Sequence, residues 1–339
     1  MAYFWTVLVL FFIATMHSQI SITEASDIGV CYGLNGNDLP SPTDVVGLYQ
    51  KYGITKMRLF EPYPSVLPAL RGTQIAVSVG VRNDHVPILA SGQEAADSWF
   101  ANNIAPYLND IVISHITVGN EIVPGEFAQY VAPAMQSLQN ILNARKLANI
   151  KVTTAVSMAV LGVSYPPSSG AFSAGASGPM RDILQFLSAH GSPLMANIYP
   201  YFPYASEPAN IRLDYALFTG SSPMLQDGGL SYSNLFDAML DALYSAIEKE
   251  GVTNVDVVVS ESGWPSAGNG EFTTPQLAGT YNKNFIAHVT NNGTPKRPQA
   301  RITGFIFAMF NENLKPAGVE KHWGLFEPNM QPVYSVFDP

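Results

Sequence analysis

The chain has 339 residues, 47% of them hydrophobic and 13% charged, with a formal net charge of −9. Such a composition can fill one large core and excludes a disordered chain. An acidic chain without a Lys/Arg cluster also excludes nucleic acid and anionic membrane as partners and leaves neutral ligands such as sugars.

The first feature in chain order is an apolar run from Phe4 to Ala14, followed by polar residues and Thr23-Glu24-Ala25. It is shorter than the roughly 18 apolar residues of a membrane span, so residues 1–25 are expected to be a signal peptide cleaved near Ala25. No Lys or Arg precedes Lys51, so the usual positive flank is missing. A secreted chain with one cysteine, Cys31, forms no internal disulfide, and Cys31 is expected to be a buried small residue on a strand.

Short apolar segments then alternate with amphipathic ones. Strands are predicted over 28–32, 56–60, 75–79, 115–119, 151–157, 194–198, 255–260 and 304–308. Most are continuous apolar runs, the pattern of parallel strands buried on both faces. Helices are predicted over 94–108, 126–145, 179–190, 234–250 and from Thr274-Pro275 to about Asn291. In 234–250, Leu235, Met239, Leu243 and Ile247 recur every fourth residue, Ser233 is the expected cap, and Gly251 follows the end. Eight strands with intervening helices predict an α/β fold of the (β/α)8 barrel type, a TIM barrel, as one domain over 26–339. The alternative, a doubly wound open sheet, lacks a Gly-x-Gly-x-x-Gly after its first strand.

In such barrels the reacting groups sit where strands end at the C-terminal face. The fourth strand runs into Asn120-Glu121, the seventh into Glu261-Ser262-Gly263-Trp264-Pro265. Either glutamate alone reads equally well as a structural carboxylate. Two at matching positions across the barrel mouth fit glycoside hydrolysis, which needs one protonated and one ionised carboxyl group beside the scissile bond. Asn120 is placed to bond a sugar 2-hydroxyl, and Trp264 offers a flat face for a pyranose ring. The six histidines are scattered and no Cys-x-x-Cys occurs, so no metal site is visible. Asn292-Gly293-Thr294 is a glycosylation sequon, made less usable by Pro295.

Seven strings in order carry a resemblance. They are Ile28-Gly29-Val30-Cys31-Tyr32-Gly33, Met57-Arg58-Leu59-Phe60, Val118-Gly119-Asn120-Glu121, Asn197-Ile198-Tyr199-Pro200-Tyr201-Phe202, Val259-Ser260-Glu261-Ser262-Gly263-Trp264-Pro265, and Phe307-Ala308-Met309-Phe310-Asn311-Glu312-Asn313 with His322-Trp323-Gly324-Leu325-Phe326. From Ile28 to the C-terminus the chain resembles the plant glucan endo-1,3-β-glucosidases of glycoside hydrolase family 17. The resemblance implies a (β/α)8 barrel, a retaining mechanism, endo-cleavage of 1,3-β-glucan and no cofactor. It makes Glu121 the acid/base and Glu261 the nucleophile, with Glu312, Lys315 and Glu320 as a charged group in the same cleft. Lys315 would favour an ionised neighbour, while Glu312 and Glu320 would keep the acid protonated.

Phe60 stands where the family pattern has Tyr, and 78–84 is unusual although Asn83-Asp84 looks retained. Tyr32, Tyr199, Tyr201, Trp264 and Phe310 are the expected substrate contacts. Of the aromatic row after strands six and eight, Tyr199 is assigned to the cleft and Phe202 to the core. The expected partner is a β-glucan met by a secreted monomer in the cell wall space, in defence against fungal walls or in wall remodelling, with no membrane contact after signal cleavage. Cleavage of mixed 1,3;1,4-β-glucan, transfer between glucan chains, and a wall protein that binds glucan without cutting it are the alternatives.

Overall fold

The computed structural model describes residues 28–337, so the segment expected to be a signal peptide lies outside it. Eight parallel strands close into a barrel in sequence order. They are β1 (Ile28–Tyr32), β2 (Lys56–Leu59), β3 (Ala76–Val81), β4 (Val112–Asn120), β5 (Lys151–Ser157), β6 (Leu194–Asn197), β7 (Val257–Ser262) and β8 (Gly304–Ile306). All eight predicted strands are present, and β1 pairs with both β2 and β8, which removes every free edge. β1, β6 and β8 are buried at every position, as continuous apolar runs require when side chains pack on both faces.

The helices of ten residues or more form the outer layer: α1 (Pro42–Lys51), α2 (Gln93–Asn103), α3 (Val131–Ala144), α4 (Ala174–His190), α5 (Leu235–Lys249) and α6 (Pro275–Asn291). The predicted set omits α1, although its start signal is plain: Ser41 accepts from the Asp44 amide and Pro42 occupies the first turn. The cap of α5 is Asn234, not Ser233; its Oδ1 accepts from the Asp237 amide at 2.8 Å. α4 begins at Ala174 and takes Pro179 into its interior, burying Ala176 and Met180. That packing outweighs the one helical hydrogen bond that proline removes. Cys31 is buried as expected, its thiol donating to the Ser260 carbonyl at 3.3 Å.

Two departures from regular geometry decide where the site lies. β4 slips register against β5 between Thr117 and Asn120, and β7 slips against β6 between Val259 and Glu261. A bulge re-aims the residues that follow it. Glu261 therefore stands inside the last turn of pleat of β7, opposite Asn197, rather than in the loop beyond it. Two antiparallel hairpins unforeseen in the sequence, 161–172 and 225–232, rise from the loops after β5 and β6. Among the described residues no helix is long and apolar enough to cross a membrane.

Candidate active site

A cleft of about 1000 Å³ runs over the C-terminal ends of the strands. Its floor holds Asn120, Glu121, Asn197 and Glu261, and its walls include Glu312, Lys315 and Glu320. The structure thus gathers all the charged candidates into one groove.

Glu261 is buried, with both carboxylate oxygens engaged. Oε1 accepts from Arg58 Nη1 at 2.5 Å, and Oε2 accepts from the Tyr199 hydroxyl at 2.6 Å. This is the bonding pattern of an anion held in a fixed rotamer. Burial opposes the Arg58 charge, but the Glu261 carboxylate and the Cys31 sulfur together more than offset it, and the guanidinium pKa moves up. Burial, and then the Glu261 charge, lift the Tyr199 phenol well above its ordinary range, so it remains a donor.

Glu121 has the opposite surroundings. It stands open to the cleft at φ 54°, directly after Asn120 and Gly119 (φ 74°), and its amide donates to the Ala155 carbonyl at 2.8 Å. Asn197 Nδ2 donates to Glu121 Oε1 at 2.8 Å and to Asn120 Oδ1 at 3.2 Å. Desolvation by the cleft walls is the largest influence on Glu121, followed by the charge of Glu261. Both raise its pKa, and together they exceed the opposing pull of the Asn197 bond. Glu320 adds a smaller push in the same direction. Two nearby carboxyls with divergent environments are the arrangement that assigns one group to acid work and the other to nucleophilic work.

Glu312 lies beneath the β1 loop, accepting from the Asn35 amide at 2.6 Å. A Cβ at Gly33 would come within 2.7 Å of its Oε1, so glycine is what lets the loop sit on this carboxyl. Burial raises the Glu312 pKa while Lys315 pulls it down. Lys315 Nζ also stands 5.1 Å from the Phe307 ring centre.

Four aromatic candidates do not face the substrate space. Trp264 is fully buried: Gly263 packs directly against the Phe307 carbonyl, and the indole turns inward among Tyr201, Tyr204 and Tyr281, its Nε1 donating to the Phe272 carbonyl at 2.9 Å. Tyr201 is buried beside it, its hydroxyl accepting from Asn269. Tyr32 and Phe310 pack edge to face beneath the floor. These are corrections to the expected substrate contacts. Phe202, assigned to the core, is instead 45% exposed on the cleft wall, with Tyr199 and Trp323 beside it. Phe60, the departure from the family pattern, also lines the cleft and carries the Arg58 guanidinium 4.6 Å from its ring centre.

Arg58, Asn197 and Ser260 went unassigned in the sequence. Ser260 Oγ donates to Asn197 Oδ1 at 2.7 Å, which fixes which end of that amide faces Glu121. Arg58 Nη2 donates to Asn120 Oδ1 at 2.7 Å, joining the two glutamate segments. The one available signal was an arginine inside an apolar strand, which must find a partner.

The model of the glycosyl hydrolases family 17 matches residues 28–337. The chain belongs to that family. Within it, this glycosidase is 52% identical over 319 residues to a probable glucan endo-1,3-beta-glucosidase, BG4, of Arabidopsis thaliana, covering 93% of this chain and 92% of the relative. It is 47% identical over 313 residues to Lichenase-2 of Hordeum vulgare, covering 92% and 99%. A solved plant beta-glucan endohydrolase, one of two with distinct substrate specificities, superposes with a TM-score of 0.88 at 46% identity, covering 91% of this chain and all of that one.

Proposed function

We propose that this family 17 hydrolase is a secreted endo-hydrolase of 1,3-β-glucan that retains anomeric configuration, with Glu121 as acid/base and Glu261 as nucleophile. The observation that carries the reading is the contrast between the two carboxyls. Desolvation by the cleft walls and a neighbouring anion favour the proton on Glu121, whereas Glu261 is held by a guanidinium and a phenol.

The chemistry follows from those roles. Glu121 passes its proton to the glycosidic oxygen while Glu261 bonds to the anomeric carbon and the C–O bond to the departing glucan breaks. Glu121, now a carboxylate, takes a proton from water, whose oxygen displaces Glu261 and releases the sugar. Asn120, with its Oδ1 committed to Arg58 and Asn197, offers its amide nitrogen to the sugar 2-hydroxyl. Tyr199, Phe202 and Trp323 give the chain a wall of rings on one side of the groove. Residues 1–25 are the secretion signal and the remainder is one catalytic domain acting as a monomer in the wall space on callose or fungal glucan.

Laminarin hydrolysis followed by NMR tests this: the β-anomer is expected first, and an α-anomer first would overturn retention. Glu261→Gln should abolish hydrolysis while leaving glucan binding. A wild-type protein that binds laminarin without cutting it would point to the non-hydrolytic reading. The resemblance to Lichenase-2 favours one second reading, cleavage of mixed 1,3;1,4-β-glucan by the same residues. Lichenan beside laminarin, with product sizing, separates the two and also reveals transfer products.

A further inference from the structure

The backbone that carries Glu121 is held by a side chain from the neighbouring strand loop. β3 and β4 pair up to Val81 and Val118, where their ladder ends. Two residues on, in the turn Asn83–His85, Asn83 takes over. Its Oδ1 accepts from the Asn120 amide at 2.8 Å and its Nδ2 donates to the Asn120 carbonyl at 3.0 Å. Both peptide planes around Asn120 are thereby fixed, including the plane that enters Glu121. The turn itself is braced by Arg82, which bonds Asp84 through Nε and Nη2 and Glu61 through Nη1.

The clamp sits where the chain is strained. Glu121 has a left-handed φ of 54°, a conformation that costs a residue with a Cβ about 1–3 kcal/mol unless its surroundings impose it. Asn83 also sits against Gly119, where a Cβ would lie 3.3 Å from its Oδ1. The Glu121 carboxyl has Asn197 as its hydrogen-bond partner, so its direction depends heavily on the backbone beneath it. Asn83 does not line the cleft.

We propose that Asn83 is a positioning residue for proton transfer: it holds the Asn120–Glu121 peptide so that the Glu121 carboxyl reaches the leaving oxygen. This rests on the reading of Glu121 as the acid. Asn83 is exposed and its bonds are open to water, so replacing it should leave the barrel folded.

The test compares leaving groups in the full chain. Laminarin needs the acid, whereas a 2,4-dinitrophenyl β-laminaribioside departs without a proton. Asn83→Ala is expected to lower kcat/KM on laminarin about 100-fold and to change it less than about threefold on the aryl substrate. Asn83→Asp, which keeps the acceptor but not the donor, should show the same split to a smaller degree and serves if the alanine variant does not fold. Glu121→Ala is measured alongside. If it shows the split and neither Asn83 variant does, whether their losses are equal on both substrates or absent, the positioning role is wrong. If Glu121→Ala itself shows no split, the acid assignment fails and the inference with it.

Discussion

The Tyr199 hydroxyl and Glu261 Oε2 are 2.6 Å apart, so a residue expected to stack on sugar is bonded to the candidate nucleophile. Tyr199→Phe removes this bond and keeps the ring contacts to Trp323 and Phe307. A hydrogen bond to a charged group contributes roughly 1.5–3 kcal/mol, so kcat on laminarin should fall about 10- to 100-fold. KM and melting temperature should stay close to wild type. A change in KM alone would return Tyr199 to the role of a simple platform.

The exchange between Trp264 and Phe202 makes a paired expectation. Trp264→Leu empties part of a packed aromatic cluster and strands the Phe272 carbonyl, which should cost about 3 kcal/mol or more in chemical denaturation. Laminarin KM should be unchanged in whatever fraction folds. Phe202→Ala touches an exposed ring on the cleft wall, so it should raise KM for long glucans with little loss of stability. The reverse pattern would restore the sequence-based assignment of both residues.

Glu320 offers a test by pH. Its charge is one of the influences that raise the Glu121 pKa. An acid works in its protonated form, so its contribution is lost as pH rises through that pKa. Glu320→Gln takes away part of the push and should move the alkaline limb of kcat/KM to lower pH. An unmoved limb would mean that Glu320 lies too far from Glu121 to influence it in solution.

Asp241 governs stability away from the cleft. It is fully buried on α5, its Oδ2 accepting from the Lys296 amide at 2.9 Å, and burial pushes its pKa from 3.8 up to about 6. Because the folded value lies above the unfolded one, its contribution is fully present below about pH 4. It is lost as pH rises through about 6, a difference on the order of 3 kcal/mol. Asp241→Asn stays neutral throughout. Its melting temperature should exceed that of the wild type by a few degrees at pH 8 and match it near pH 4. Parallel melting curves across that range would show that Asp241 titrates normally in the fold.

The barrel and its two glutamates were legible in the sequence because both are local properties. A continuous apolar run marks a doubly buried strand, and a carboxyl directly after such a run marks the barrel rim. The extent of the cleft and the direction of its side chains were not. Arg58 and Glu261 meet only because β2 and β7 are bent into one ring. The hairpins over 161–172 and 225–232 belong to long connections whose short strands have no distinctive pattern. The bulge in β7 and the packing of Gly263 decided that Trp264 turns inward, while Phe202 was left on the wall. In a strand a slip of one residue exchanges the two faces, so the side a ring occupies at a strand end depends on bulges and neighbours supplied by distant parts of the chain.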